Sequence, residues 1–338
     1  MAHAAVIARI TFAFALTLLL AGPAGAGVNQ WTVIGPPANV EAMAVDPHNS
    51  AILYAASFDA VARSYDRGAT WTSTPVPGLV APSALRVAVS MTSTIYALGI
   101  AEVYRSTSGG VSWSRRTAPA TFPHDLQVDA TNASVIVVAA TNFCFLGCTG
   151  GGVYRSSDGG GSWRRIGLED TNVWRITLDP TSSQIIYATT ESTLMRTGDG
   201  GRSWRNISPP GGGSRPDAVV DPIVPTTIYA AADAGVFRSI DSGGSWELVR
   251  PSSFGASLAP PAHGSRQLFA SAAGTALSLD QGQTWHELST AGSGLDFRGL
   301  RQLVLSRDHF YKVSDLAGAP GQILAYELRH PRRRAVRQ

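Results

Sequence analysis

Ser239-Ile240-Asp241-Ser242-Gly243-Gly244-Ser245-Trp246 is one of six copies of a single eight-residue phrase, Ser/Thr-x-Asp-x-Gly-x-Thr/Ser-Trp. The other copies end at Trp71, Trp113, Trp163, Trp204 and Trp285, and only the second departs at the acid, where Ser108 stands. A phrase that returns at a fixed period marks a supersecondary unit that cannot bury its own apolar face and stacks on its neighbours. The repeat therefore specifies architecture before it specifies chemistry.

Counted from Trp31, the tryptophans that end the repeats lie 40, 42, 50, 41, 42 and 39 residues apart, the length of a four-stranded propeller blade. Each unit has one grammar. A first apolar strand ends at a turn such as Asp46-Pro47, Asp129-Ala130, Asp179-Pro180 or Asp221-Pro222. A second strand follows (Ile95-Tyr-Ala, Ile186-Tyr-Ala, Ile228-Tyr-Ala), and a third (Val103-Tyr-Arg-Ser, Val153-Tyr-Arg-Ser, Val236-Phe-Arg-Ser) runs into the repeat, whose tryptophan opens the fourth. Six complete units fit between Val40 and Thr290. Residues after Phe297 supply three more strands without a fourth, and Gln30-Trp31-Thr32-Val33 reads as a fourth strand with no unit before it. The expectation is an all-β, seven-bladed β-propeller closed by pairing of the N-terminal strand with the last blade, leaving no open edge there.

The residue types of the repeat suit a turn. A carboxylate or hydroxyl accepts hydrogen bonds from its own turn, glycine takes positive-φ positions, and the indole covers apolar area. Asp66, Asp158, Asp199, Asp241 and Asp280 are accordingly read as structural, not as a ladder of catalytic acids, with Ser108 a tolerable replacement.

These residues resemble the Asp-box, or bacterial neuraminidase repeat, over nearly the whole chain after residue 26. Similar boxes occur in sialidases, xyloglucan-cleaving glycosidases, sortilin-type receptors and photosystem II assembly factors, the last being exported single propellers that catalyse nothing. The Asp-Pro turn, the Ile-Tyr-Ala strand and the Val-Tyr-Arg-Ser strand most resemble that last group. The resemblance implies the fold; one fold hosts many functions, so activity has to be argued from the site.

The N-terminal residues read as export machinery: Arg9, an apolar run from Ile10 to Ala21, and Ala24-Gly25-Ala26 as a cleavage site. Residues 1–26 are thus expected to be a signal peptide, 27–328 the propeller, and 329–338 a basic tail, with the protein secreted or periplasmic. An uncleaved anchor is the alternative, although the run is short of the roughly 18–20 residues a spanning helix needs. The formal net charge is +3, and Lys312 is the sole lysine. Arg329, Arg332, Arg333, Arg334 and Arg337 crowd the tail, which reads either as a solvated terminus or as a holder of an acidic partner. Cys144 and Cys148 suggest a local disulfide in an exported chain; no histidine lies near enough to complete a metal set, and no metal or cofactor is expected. Basic residues do not interleave with aromatics along a stripe, so nucleic acid is disfavoured.

Aligning first strands on the turn acid brings Ala42, Arg86, Asp125, Arg175, Asp217, Ala256 and Gln302 to one position at the channel mouth, on the face opposite the repeats. The alternation Arg86, Asp125, Arg175, Asp217 reads as an interblade ion-pair ring, or as a polar floor for a small ligand or a partner's peptide. Trp174 and Arg298 lie in nearby loops, and the 50-residue unit gains its length at 142–152, where Phe143 and Phe145 would form a contact ridge. A sialidase needs an arginine cluster, a tyrosine nucleophile and its acidic partner, but Tyr54, Tyr96, Tyr187 and Tyr229 sit at framework positions. A glycosidase needs a carboxylate pair, and none is assignable from sequence. The expectation is a noncatalytic, monomeric binding or assembly scaffold for a protein partner, with a glycoside hydrolase acting on an extracellular oligosaccharide as the alternative.

Overall fold

The computed structural model describes residues 31–36, 39–87, 93–120, 122–142, 150–213, 215–252, 257–259, 268–271, 275–287, 300–305, 309–316 and 319–327. The expected signal peptide, the basic tail and the 143–149 segment with Phe143, Cys144, Phe145 and Cys148 lie outside these residues, as does Arg298. Among the described residues no helix is long and apolar enough to cross a membrane.

The fold is all-β, built of four-stranded antiparallel sheets. The first joins Val40–Val45, Leu53–Ser57, Ala60–Ser64 and Thr72–Pro75; the second joins Ala84–Val87, Ile95–Leu98, Glu102–Ser106 and Ser114–Thr117. The third holds Pro123–Val128, Ile136–Ala140, Gly152–Ser156 and Arg164–Arg165; the fourth holds Arg175–Asp179, Ser182–Thr189, Leu194–Thr197 and Arg205–Asn206. The fifth runs Asp217–Val220, Ile228–Ala232, Gly235–Ser239 and Glu247–Pro251, and the sixth Ser257–Ala259, Leu268–Ser271, Thr275–Ser278 and His286–Glu287. In the seventh, Leu300–Leu305, His309–Leu316 and Ala319–Glu327 are joined by Trp31–Val33, with Trp31 opposite Tyr326 and Val33 opposite Leu324.

Second strands such as Ile136–Ala140 and Ile228–Ala232 are buried at every residue, because both of their faces are covered by neighbouring sheets. That is why they read as continuous apolar runs and not as alternation. The core is correspondingly divided into layers between sheets: Val137, Val153 and Ile166 of the third pack on Ile176, Ile186 and Ala188 of the fourth. Ile34, Ile323 and Ala325 pack in the same way on Val40, Met43 and Leu53 of the first. First strands of consecutive sheets lie beside one another, and that of the seventh lies beside that of the first.

The repeats are the turns that join third to fourth strands. At the fifth, Ser239 Oγ donates to Asp241 Oδ1 (2.7 Å), which also accepts from Ser245 N (2.8 Å), while Ser245 Oγ donates to Oδ2 (2.8 Å). Gly243 donates its N–H to Ser239 Oγ (2.8 Å) at φ 86°. A Cβ there would lie 2.7 Å from Ile207 Cδ1 of the preceding sheet, so glycine is required by conformation and by space. Trp246 Nε1 reaches the carbonyl of Ile207 (2.9 Å), as Trp71, Trp163 and Trp204 reach Ile34, Thr117 and Ile166. The indole thus fastens each of these turns to the preceding sheet, beyond the apolar cover expected of it. Trp113 differs, bonding only Gly110 O of its own turn among the described residues (3.3 Å). At Ser108 the hydroxyl keeps the bond from Ser112 N (2.9 Å), but one oxygen stands where the other copies have two.

Candidate functional site

The face opposite the repeat turns is formed by the connections before first strands and between second and third strands. Here Arg86 Nη2 donates to Asp125 Oδ1 (2.9 Å), and the same carboxylate accepts Leu126 N (2.8 Å) and Ile176 N (3.1 Å). Arg175 Nη1 donates to Asp217 Oδ2 (2.6 Å), whose carboxylate also accepts Ala218 N (3.0 Å) and Leu258 N (3.4 Å). Each aspartate therefore ties together three consecutive sheets: second, third and fourth at Asp125; fourth, fifth and sixth at Asp217. Arg86, Asp125, Arg175 and Asp217 form two such knots, not one continuous ring, because Asp125 turns its second oxygen to the backbone of Ile176 and not to Arg175. Both carboxylates are nearly covered, at 10% and 12% side-chain exposure, while Arg175 remains half exposed.

One residue before Asp125 and Arg175 stand His124 and Trp174, whose rings lie 4.5 Å apart at 58°. The Arg215 guanidinium lies over the Trp174 ring, 3.5 Å from its centroid. Arg215 holds a left-handed φ of 56°, its N–H donates to Glu191 O (2.9 Å), and its Nε lies 3.5 Å from the Glu191 carboxylate. Burial, seconded by Arg215, lowers the His124 pKa below its ordinary value against an opposing pull from Asp125. The stacked imidazole is thus neutral at neutral pH. The Trp174 indole N–H is buried without a hydrogen-bond partner among the described residues. Beside His124 opens a pocket of about 140 Å³ lined by Ala81, Ser83, Gly99, Ile100, Phe122 and Pro123. It is smaller than the roughly 300 Å³ at the low end for small-molecule sites and has room for a side chain.

The long unit's loop leaves this cluster: Asn142 N donates to Asn172 Oδ1 (2.7 Å), Asn172 Nδ2 lies 3.4 Å from Glu191 Oε1, and Gly151 N closes the loop's base onto Asn142. Of the residues singled out in the sequence, Arg86, Asp125, Trp174, Arg175 and Asp217 share this face. His124 and Arg215 were not singled out. His124 occupies the column one residue before the Arg/Asp column, and Arg215 comes two residues before Asp217, so the adjoining columns held the signal. The turn acids Asp66, Asp158, Asp199, Asp241 and Asp280 lie on the opposite face, and hydrogen bonds from their own Ser or Thr hydroxyls and turn N–H groups lower their pKa values, that of Asp280 to about 2. Tyr54, Tyr96, Tyr187 and Tyr229 are at most 3% exposed, and burial pushes the Tyr54 phenol up to about 12. Tyr96 and Tyr229 donate to Ala133 O (2.8 Å) and Gln281 O (2.9 Å). These phenols are framework, the reverse of an activated nucleophile. No group of three or more metal-ligating side chains occurs among the described residues.

No protein-family model matches the chain, and no curated protein matches it. Among solved structures, YCF48 from Cyanidioschyzon merolae is similar at TM-score 0.64 and 13% identity over 88% of this chain and 98% of that one. A structure of YCF48 bound to D1 peptide is similar at TM-score 0.66 and 16% identity, covering 91% and 99%. The Niastella koreensis GH74 enzyme is similar at TM-score 0.53 and 16% identity; 82% of this chain is covered, and it spans 62% of that enzyme's length. At such identities the likeness shows the β-propeller fold alone.

Proposed function

We propose that this chain is an exported, noncatalytic β-propeller of seven blades, closed by Trp31–Val33, that captures a protein partner on the face bearing His124, Trp174 and Arg215. Closure is supported by the Trp31–Tyr326 register and by the layer joining Ile34 and Ile323 to Val40 and Met43. The six turns have the hydrogen bonding that suits Asp-box repeats.

The observation that carries the functional reading is the division of labour on that face. Asp125 and Asp217, the carboxylates a hydrolase would call on, are each held by an arginine and two backbone N–H groups. What stays accessible is an aromatic and cationic stack beside a side-chain-sized pocket, the composition of a protein-contact hot spot. The peptide complex of YCF48 supports a peptide or protein as ligand. The likeness to the GH74 enzyme keeps a glycoside hydrolase as the second reading.

The test is chemical cross-linking in the native envelope fraction, with cross-linked species identified by mass spectrometry. Wild type is expected to give a discrete partner, lost in Trp174→Ala and Arg215→Ala and weakened in Phe143→Ala/Phe145→Ala, with unchanged melting temperatures. Identical cross-links in all variants would remove the face from the account.

A further inference from the structure

The face carrying the repeat turns has a patch of its own. Ile223 and Val224 in the first turn of the fifth sheet are 44% and 40% exposed, Ile240 in that sheet's repeat turn is 68% exposed, and Leu279 in the next is 42% exposed. The three turns are joined: Ser242 N donates to Thr226 O (2.9 Å), and Gln281 Nε2 to Asp221 Oδ2 (2.9 Å). Nothing in the turn requires aliphatic residues, because Asp221 Oδ1 itself accepts the N–H groups of Ile223 (2.8 Å) and Val224 (3.0 Å). The equivalent pairs elsewhere are His48-Asn49, Thr131-Asn132 and Thr181-Ser182, all polar. Exposed aliphatics gathered on turns that are bonded to one another mark a contact surface.

From this patch we infer that the fifth and sixth repeat turns seat residues 328–338 of the chain itself. Two observations select that occupant. The first is direction. In the boxed sheets the third strand ends at the repeat face, as at Ser239 and Ser278, and Ala319–Glu327 is the third strand of the seventh sheet, so its last residue emerges there, in the sheet whose first strand lies between those of the sixth and the first. The following 11 residues span up to about 36 Å when extended, enough to cross to the neighbouring turns. The second is charge. The whole chain is +3 and the tail's five arginines carry +5, so residues 1–328 have a net charge of −2. Asp241 and Asp280 flank the patch, and their bonds in the turns come from hydroxyls and N–H groups, leaving their charge unneutralised by them. Arginine stems and Val336 would lie on the aliphatics while guanidinium heads meet the carboxylates.

The experiment is limited trypsin cleavage of the full chain at low ionic strength, following release of tail peptides after Arg329 to Arg337 by mass spectrometry. The seated tail predicts five- to tenfold faster release in Ile240→Lys/Leu279→Lys and in Ile223→Lys/Val224→Lys, with melting temperatures unchanged. Val111→Lys, an equally exposed site on the second repeat turn, should match wild type. Equal rates in wild type and both double variants would overturn the inference, as would equal acceleration by Val111→Lys. Protection that disappears on dilution would assign the patch to a second copy's tail and overturn seating within one chain.

Discussion

At the scale of residues, the repeat turn is an electrostatic device made from neutral partners. Asp280 Oδ1 accepts Ser278 Oγ (2.9 Å) and Thr284 N (2.8 Å), and Oδ2 accepts Thr284 Oγ1 (2.6 Å), which holds the pKa near 2. A carboxylate depressed on folding contributes stability that is fully present above its unfolded pKa, about 3.9, and is lost as pH falls through its folded value. Thermal melts should therefore decline between about pH 4 and pH 2, and Asp280→Asn should lower the melting temperature at pH 7 while flattening that acid limb; salt will shrink the effect because the group is exposed. Ser108 offers the converse. Its one oxygen serves where two are available elsewhere, so Ser108→Asp should raise the melting temperature by calorimetry, and a lower value would contradict this reading of the turn. Gly243→Ala, forced to positive φ against Ile207, should destabilise by about 2 kcal/mol or more in denaturant titration.

At the scale of elements, neighbouring sheets from the first to the sixth are fixed to one another, among the described residues, by polar clasps as well as by apolar layers. Trp246→Phe keeps the ring and removes the bond to Ile207 O, so its expected cost is about 1 kcal/mol in the same titration. Strand order and the extra-long third unit were legible in the sequence because the Asp-Pro turn, the Ile-Tyr-Ala strand and the repeat recur in phase. The clasps were not. Arg63 donating to Gly109 O (3.3 Å) and Arg155 to Ser183 O (2.7 Å) join residues 46 and 28 apart, and only the stacking of sheets brings them together. The His124, Trp174 and Arg215 stack escaped reading for the same reason: its members sit at or just before the starts of three different sheets' first strands. The Arg/Asp column was visible as a pattern, but its pattern suggested one continuous ring, whereas backbone N–H groups of the next sheets complete two separate knots.

At the scale of the whole molecule, the Asp125 and Asp217 knots tie the second to sixth sheets together, and the proposed closure of the ring falls on the layer around Ile34. Ile34→Ala probes the closure: Ile34 is 6% exposed between seventh and first sheets, as Ile166 and Ile207 are between others, so each truncation should cost about 2–5 kcal/mol in one cooperative transition. A cost well under 1 kcal/mol at Ile34 alone would mean an open seam. The central claim is that Asp125 and Asp217 are structural and the protein binds without catalysing. Its most direct test is glycan hydrolysis by the purified protein, screened over sialosides, β-glucans and xyloglucans with reducing-end detection, beside Asp125→Asn and Asp217→Asn. No product is expected from any of them, and the melting temperature should fall in both variants. Product released by the wild type and abolished in either variant would contradict it and place a hydrolase on this face.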